Sequence, residues 1–320
     1  MRRVLILGGT GWLGRAIAQA AMQGGADVTC LARGESGSAV EGAHLIRADR
    51  TQPGAYDELT GDWDAVIEVS RDPGQVESAL QALSSRAEHW TFVSTVSVYE
   101  RNDVPGADES TETVDPVDMD DYAQAKVSAE RASARHRGEG LLVARPGLIV
   151  GPGDPTDRFG YWPARLHRGG RVLAPTFADR SVQVIDVDDL AAWIVQAGLA
   201  RTAGVINAVG NALPFEEFLE LTADVAAFAG SFEQRDDAWL AEHDIRYWAG
   251  PRSLPLWIPA IDAGFAQRNN ARYRASGGKL RPLRETITRT LDDELSRGRD
   301  RPRASGLGAD EEARALASGA

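Results

Sequence analysis

At 320 residues the chain is long enough for one large α/β domain or two smaller ones, with a sizeable core. A formal net charge of −12 argues against a nucleic-acid partner, because so acidic a surface is repelled by phosphate backbones. The single cysteine, Cys30, excludes an internal disulfide, and the five scattered histidines form no ligand pair, so no metal site is expected. No apolar run approaches the length that crosses a bilayer, which makes a cytoplasmic enzyme without a membrane partner the expectation.

Val4 to Leu7 reads as a short buried strand. The apolar run breaks at Gly8-Gly9, too early for the signal peptide that Met1-Arg2-Arg3 superficially suggests. Trp12 to Gln23 reads as a helix, Val28 to Leu31 and Ala43 to Arg47 as strands. Ala65 to Val69 and Trp90 to Ser94 follow as buried strands, with a helix over Gln75 to Leu83 between them. Asp120 to Arg137 reads as a long helix and Leu141 to Ala144 as the next strand. Alternating strands and helices imply right-handed parallel crossovers, hence an α/β fold built on a Rossmann-type doubly wound parallel sheet.

After Gly147 the pattern changes. Gly151-Pro152-Gly153-Asp154-Pro155 is a turn-rich break. Val182 to Ile185 reads as a strand returning to the sheet, backed by a helix over Asp188 to Ala200. Phe215 to Ala229 reads as another helix, and 245 to 265 as irregular packing. The expected organisation is a dinucleotide-binding domain over 1–150, completed by about 180–210, and a smaller C-terminal substrate-binding lobe from 151–180 and 211–295. Residues 296–320 read as a loose tail with a short helix over Asp310 to Ala317.

Gly8-Gly9-Thr10-Gly11-Trp12-Leu13-Gly14 directly follows the first strand and opens the first helix. Glycine allows the tight turn and lets backbone N–H groups approach a pyrophosphate, while the helix N-terminus supplies positive potential. Gly8, Thr10, Gly11, Trp12, Leu13 and Gly14 are therefore candidate cofactor contacts. An NAD-binding protein usually ends its second strand on Asp or Glu; here Ala32 and Arg33 stand there. No carboxylate repels a 2′-phosphate, and a guanidinium fork can bind one, which points to NADP(H). Asp49, beyond the third strand, can accept from an adenine amino group or cap its own turn.

Tyr122 and Lys126 lie four residues apart on one helix face. A phenol titrates near ~10 and exchanges protons poorly unless its anion is stabilised, which a neighbouring ammonium does. The carboxyl end of the preceding strand offers Ser94, Thr95 and Ser97, one of which can hydrogen-bond a substrate oxygen.

With Arg145-Pro146-Gly147-Leu148-Ile149-Val150-Gly151-Pro152-Gly153 and Val184-Ile185-Asp186-Val187-Asp188-Asp189, these motifs resemble the extended and atypical short-chain dehydrogenase/reductases, the NAD-dependent epimerase/dehydratase-like group. The resemblance covers residues 1 to about 200, and Arg281-Pro282-Leu283 fits the family's ending more loosely. It implies that Thr95 is the catalytic hydroxyl, that Tyr122 is the general acid/base, and that Lys126 is its electrostatic partner and a ribose ligand. Pro146 would contact the nicotinamide end. Ala32/Arg33 departs from the family's NAD pattern, and Glu68-Val69-Ser70-Arg71 departs from its small apolar residues.

The leading expectation is an NADP(H)-dependent oxidoreductase acting on a small-molecule carbonyl or secondary alcohol. A sugar-nucleotide epimerase or dehydratase with retained NAD(H) is the alternative, with Arg158, Arg165 and Arg171 available to a substrate phosphate. A sensor or RNA-associated protein that binds NADP without turnover is a third reading. Phe159, Tyr161, Trp162, Trp248 and Trp257 either line a pocket or fill the lobe's core. The sequence leaves the oligomeric state open, a homodimer included.

Overall fold

The computed structural model describes residues 1–298 and 301–318. β1 (Arg3–Leu7), β2 (Asp27–Ala32), β3 (His44–Arg47), β4 (Ala65–Glu68), β5 (Trp90–Val93) and β6 (Leu141–Pro146) belong to one sheet. A short β7 (Leu148–Val150), β8 (Gly170–Pro175) and β9 (Ser181–Asp186) follow outside it, and β10 (Gly204–Ala208) returns to the edge. The order is β10-β6-β5-β4-β1-β2-β3, and every pairing is parallel.

β1 is apolar at consecutive positions because both faces of the sheet are covered. Val4 and Ile6 pack with Ile17, Leu190 and Ile194, from α1 (Trp12–Gln23) and a helix over Val187–Leu199. Leu5 and Leu7 point to the opposite face, with Leu80 of α2 (Pro73–Leu83) and Ala129 of α3 (Tyr122–Arg137). Strand order reverses between β1 and β4, which opens a crevice at their carboxyl ends.

Val182 to Ile185 does not return to this sheet. It is the centre of a separate three-stranded sheet, between β7 and a short strand over Ala212–Pro214. The seventh strand of the main sheet is instead β10, a stretch whose leading glycine and polar Asn207 hide it from a search for apolar runs.

The second lobe packs α4 (Arg158–His167) against helices over Phe215–Val225 and Leu283–Arg297, around an aromatic core. Phe159, Tyr161, Trp162 and Trp257 are all at most 3% exposed within it, so they fill the core. The segment read as loose is docked wherever it is described; Arg299, Asp300, Gly319 and Ala320 lie outside the described residues. Arg301 pairs with Asp157 and Glu294, Ala304 donates its N–H to Asp157 at 2.8 Å, and Leu307 is buried. The helix over Ala309–Ser318 inserts Glu312, which pairs with Arg165 and accepts from the Leu173 N–H at 3.0 Å. Charge pairing between distant segments holds what composition alone presents as a polar tail. Among the described residues no helix is long and apolar enough to cross a membrane.

Candidate active site

The glycine turn is built by close approach. Gly8 has φ +100°, where a side chain is strained, and a Cβ there would lie 2.5 Å from the Val69 side chain. A Cβ on Gly14 would sit 2.9 Å from the Gly9 Cα and overlap the Gly8 carbonyl, so this glycine sets how closely α1 packs on β1. Gly11 differs: the nearest atom to its would-be Cβ is 3.8 Å away, which leaves free space above the helix N-terminus. That space, with the N-terminal dipole, fits a pyrophosphate. Leu13 packs into the core beneath, and the indole of Trp12 donates to the Pro152 carbonyl at 2.8 Å.

Gly8, Thr10, Gly11, Arg33 and Asp49 border one cavity, together with Glu35, Arg50, Val69 and Ser70. Arg33 is exposed and 3.2 Å from Glu35. Asp49 accepts from the N–H and hydroxyl of Thr51, and these bonds hold its pKa down. It therefore caps its own turn. Beneath the cavity, Arg50 and Glu68 form a buried two-pronged ion pair, and Glu68 also accepts from the Ser70 N–H at 2.8 Å. Sequence reading noted Glu68 only as a departure; its partner lies 18 positions away and gives no local signal.

At the other end of the crevice, Asp121 caps α3 by accepting from the Gln124 N–H at 2.9 Å, so Tyr122 is the first helical residue. One turn later Lys126 is 3% exposed and lies over the Phe92 ring at 4.8 Å. Its ammonium donates to the Val93 carbonyl at 2.6 Å and the Ser70 carbonyl at 2.9 Å. Burial pushes its pKa down to about 8, against the opposing pull of Glu68 and Glu130.

Thr95 is buried and extended directly after β5. Its hydroxyl accepts from the Ser97 N–H at 3.1 Å and donates to the Ser97 hydroxyl at 3.2 Å. Tyr122 keeps 45% of its surface open. Burial of the phenol raises its pKa, while the nearby Thr95 hydroxyl and the charges of Arg158 and Arg71 oppose the rise. The Ser94 hydroxyl is buried without a partner among the described residues. Pro146 ends β6 opposite Ala208, and the following Gly147 faces Val209. The structure thus brings Thr95, Tyr122 and Lys126 together where β4, β5 and β6 end, in the same crevice as the glycine turn.

Of the arginines offered for a substrate phosphate, Arg165 pairs with Glu312 and Arg171 with Glu233. Arg158 makes no ion pair with a described residue; its Nε donates to Thr156 at 3.1 Å and its guanidinium lies 4.9 Å from the Trp248 ring.

A parallel sheet in this order, with a glycine turn at its switch point and a tyrosine–lysine pair on the next crevice helix, defines an extended Rossmann-type protein of the epimerase/dehydratase group. Residues 4–210 match the model of the NAD dependent epimerase/dehydratase family, and the chain belongs to that family. A nicotinamide dinucleotide is the cofactor that the cradle fits. Among curated protein sequences none matches the chain. Solved structures share the fold. A candidate epimerase from Burkholderia cenocepacia J2315 superposes with a TM-score of 0.72 at 21% identity, over 92% of this chain and 98% of that one. The Bordetella bronchiseptica enzyme WbmH in complex with NAD+ gives 0.70 at 17%, over 93% and 100%. A Thermus thermophilus UDP-glucose 4-epimerase complexed with NAD gives 0.64 at 19%, over 92% and 99%.

Proposed function

We propose that the chain is an NADP(H)-dependent oxidoreductase for a small-molecule carbonyl or secondary alcohol, with Tyr122 exchanging the oxygen-bound proton. The bound cofactor supplies or accepts a hydride on its nicotinamide. Everything else falls to the chain. The observation that carries the reading is the buried Lys126 ammonium, fixed by two carbonyls at the ends of β4 and β5, one helical turn from Tyr122.

A phenol whose pKa is raised is protonated at neutral pH, the form that donates to a developing alkoxide. Thr95 orients the substrate oxygen by hydrogen bonding. As the proton leaves, Lys126 and the arginines nearby stabilise the phenolate without rearranging, because they already occupy their places. Gly8, Thr10, Gly11, Trp12, Leu13 and Gly14 would hold the pyrophosphate end. Arg33, exposed at the cavity rim and only loosely engaged with Glu35, would take the 2′-phosphate, with Lys126 at the ribose and Pro146 beside the nicotinamide.

Steady-state oxidation of NADPH against a carbonyl panel tests this, with Tyr122→Phe as the control. The reading requires wild-type turnover and a Tyr122→Phe protein that binds NADPH but is at least about a hundredfold slower. Wild-type rates in Tyr122→Phe would end it.

A second reading, a sugar-nucleotide epimerase that retains NAD(H), is favoured by the epimerase neighbours, one of them a Thermotoga maritima UDP-glucose 4-epimerase solved with UDP-glucose. Tightly held NAD released on denaturing the purified protein, with no net NADPH consumption, would favour it.

A further inference from the structure

Arg158 starts α4 immediately after the turn that links β7 to the second lobe. Its surroundings are arranged around a charge that no described residue neutralises by contact. The nearby Asp154 is 4% exposed, and its carboxylate is occupied by the Thr156 N–H at 2.8 Å and hydroxyl at 2.9 Å. The same Thr156 oxygen accepts from Arg158 Nε at 3.1 Å. With Nε engaged, the two terminal amino groups of the guanidinium form a fork with no carboxylate partner among the described residues. Such a fork matches the paired oxygens of a carboxylate or phosphate.

Trp248 backs this fork. It holds φ +68°, a conformation a bulky side chain adopts only when its surroundings force it, and it stacks edge-on against Phe265 at 5.2 Å. Phe265 packs on the cluster of Val96, Tyr99 and Val209, which adjoins Thr95. Contacts thus run from Arg158 through Trp248 and Phe265 to Val96, the neighbour of Thr95. Arg158 and the exposed Arg71 both act on the charge of Tyr122. Arg71 also has no ion-pair partner among the described residues, whereas the arginines at 50, 145, 165 and 171 are paired.

We propose that Arg158, backed by Trp248 and assisted by Arg71, is an oxyanion anchor in the reaction cleft, so the substrate carries a carboxylate or phosphate besides its reacting carbonyl or alcohol. This rests on the cleft at Tyr122 being the reaction site. The anchor orients the substrate, and its nearness to the phenol selects compact acids over ligands whose charge lies far from the reacting carbon.

The test compares benzaldehyde, 4-formylbenzoate and 4-formylphenyl phosphate as NADPH-dependent substrates of wild type, R158M and R158K. Benzoate and phenyl phosphate are titrated calorimetrically into the NADP+-saturated proteins, whose folding is checked by thermal melting. At least one charged aldehyde is expected to exceed benzaldehyde about tenfold or more in kcat/KM, a ratio that R158M abolishes and R158K partly keeps. Which charged compound wins separates carboxylate from phosphate. Equal use of all three aldehydes, a preference that survives R158M, or failure of both inert anions to bind wild type each overturns the anchor. If no aldehyde is reduced but anion binding still requires Arg158, the anchor stands and the hydride-transfer reading is what fails.

Discussion

Lys126 and Ser70 are joined by a 2.9 Å hydrogen bond across 56 positions of sequence, from the ammonium of α3 to a carbonyl just beyond β4. With its bond to the Val93 carbonyl, this places a cation between the ends of β4 and β5, and it makes the loop after Glu68 part of the lysine's setting.

The state of that lysine has a pH consequence. Burial lowers its pKa from 10.5 to about 8, so between those values the folded protein has released a proton that the unfolded chain still holds. Folding stability from this group therefore rises through the window, while the charge proposed to favour the phenolate disappears. We expect kcat/KM to fall as pH climbs through about 8 with no loss of thermal stability. A fall that tracks unfolding would contradict this. Lys126→Met should remove that limb and lower kcat by about 10²–10⁴.

Two glycines of one turn should respond differently. Gly14→Ala forces α1 away from the Gly8 carbonyl and should destabilise the protein by about 1–3 kcal/mol, read by urea denaturation. Gly11→Ala meets no protein atom closer than ordinary contact, so its melting curve should match wild type. Its methyl group occupies the room for a pyrophosphate, and NADPH affinity by fluorescence titration should drop about tenfold or more.

Arg33 is expected to set the choice of dinucleotide. Arg33→Ala should reduce kcat/KM for NADPH by about 10- to 100-fold, the worth of one charge-assisted contact, and change the NADH value little. An equal loss with both cofactors would assign Arg33 another role.

The Arg50–Glu68 pair lies beneath the cavity bordered by Gly8, Arg33 and Asp49, with both side chains at most 6% exposed. Glu68→Gln leaves a buried guanidinium short of its counter-charge and should cost about 3–5 kcal/mol in denaturant unfolding. Replacing both residues by methionine should recover most of that loss, since an apolar pair avoids the desolvation of two ions.

The parts that sequence reading found are local. The glycine turn, the Tyr122/Lys126 spacing and the strands of the first half each lie within a few residues, and physical chemistry ties spacing to geometry there. Val182 to Ile185 was misplaced because its β-branched run says strand without saying which sheet. β10 went unseen because it begins with glycine and carries the polar Asn207. The partners Arg50 and Glu68, and those of Arg301 across 144 positions to Asp157, meet only in the folded chain. Arg158 was visible as one of three arginines. What separates it from Arg165 and Arg171 is the lack of a carboxylate partner among the described residues, which only the three-dimensional arrangement reveals.

The indole of Trp12 reaches across 140 positions to the Pro152 carbonyl, six residues before Arg158. One side chain thus pins the entrance of the first helix to the strap that carries the second lobe's leading cation. A swap of substrate lobes between relatives would have to carry residue 12 along with the strap, or the two halves would meet out of alignment.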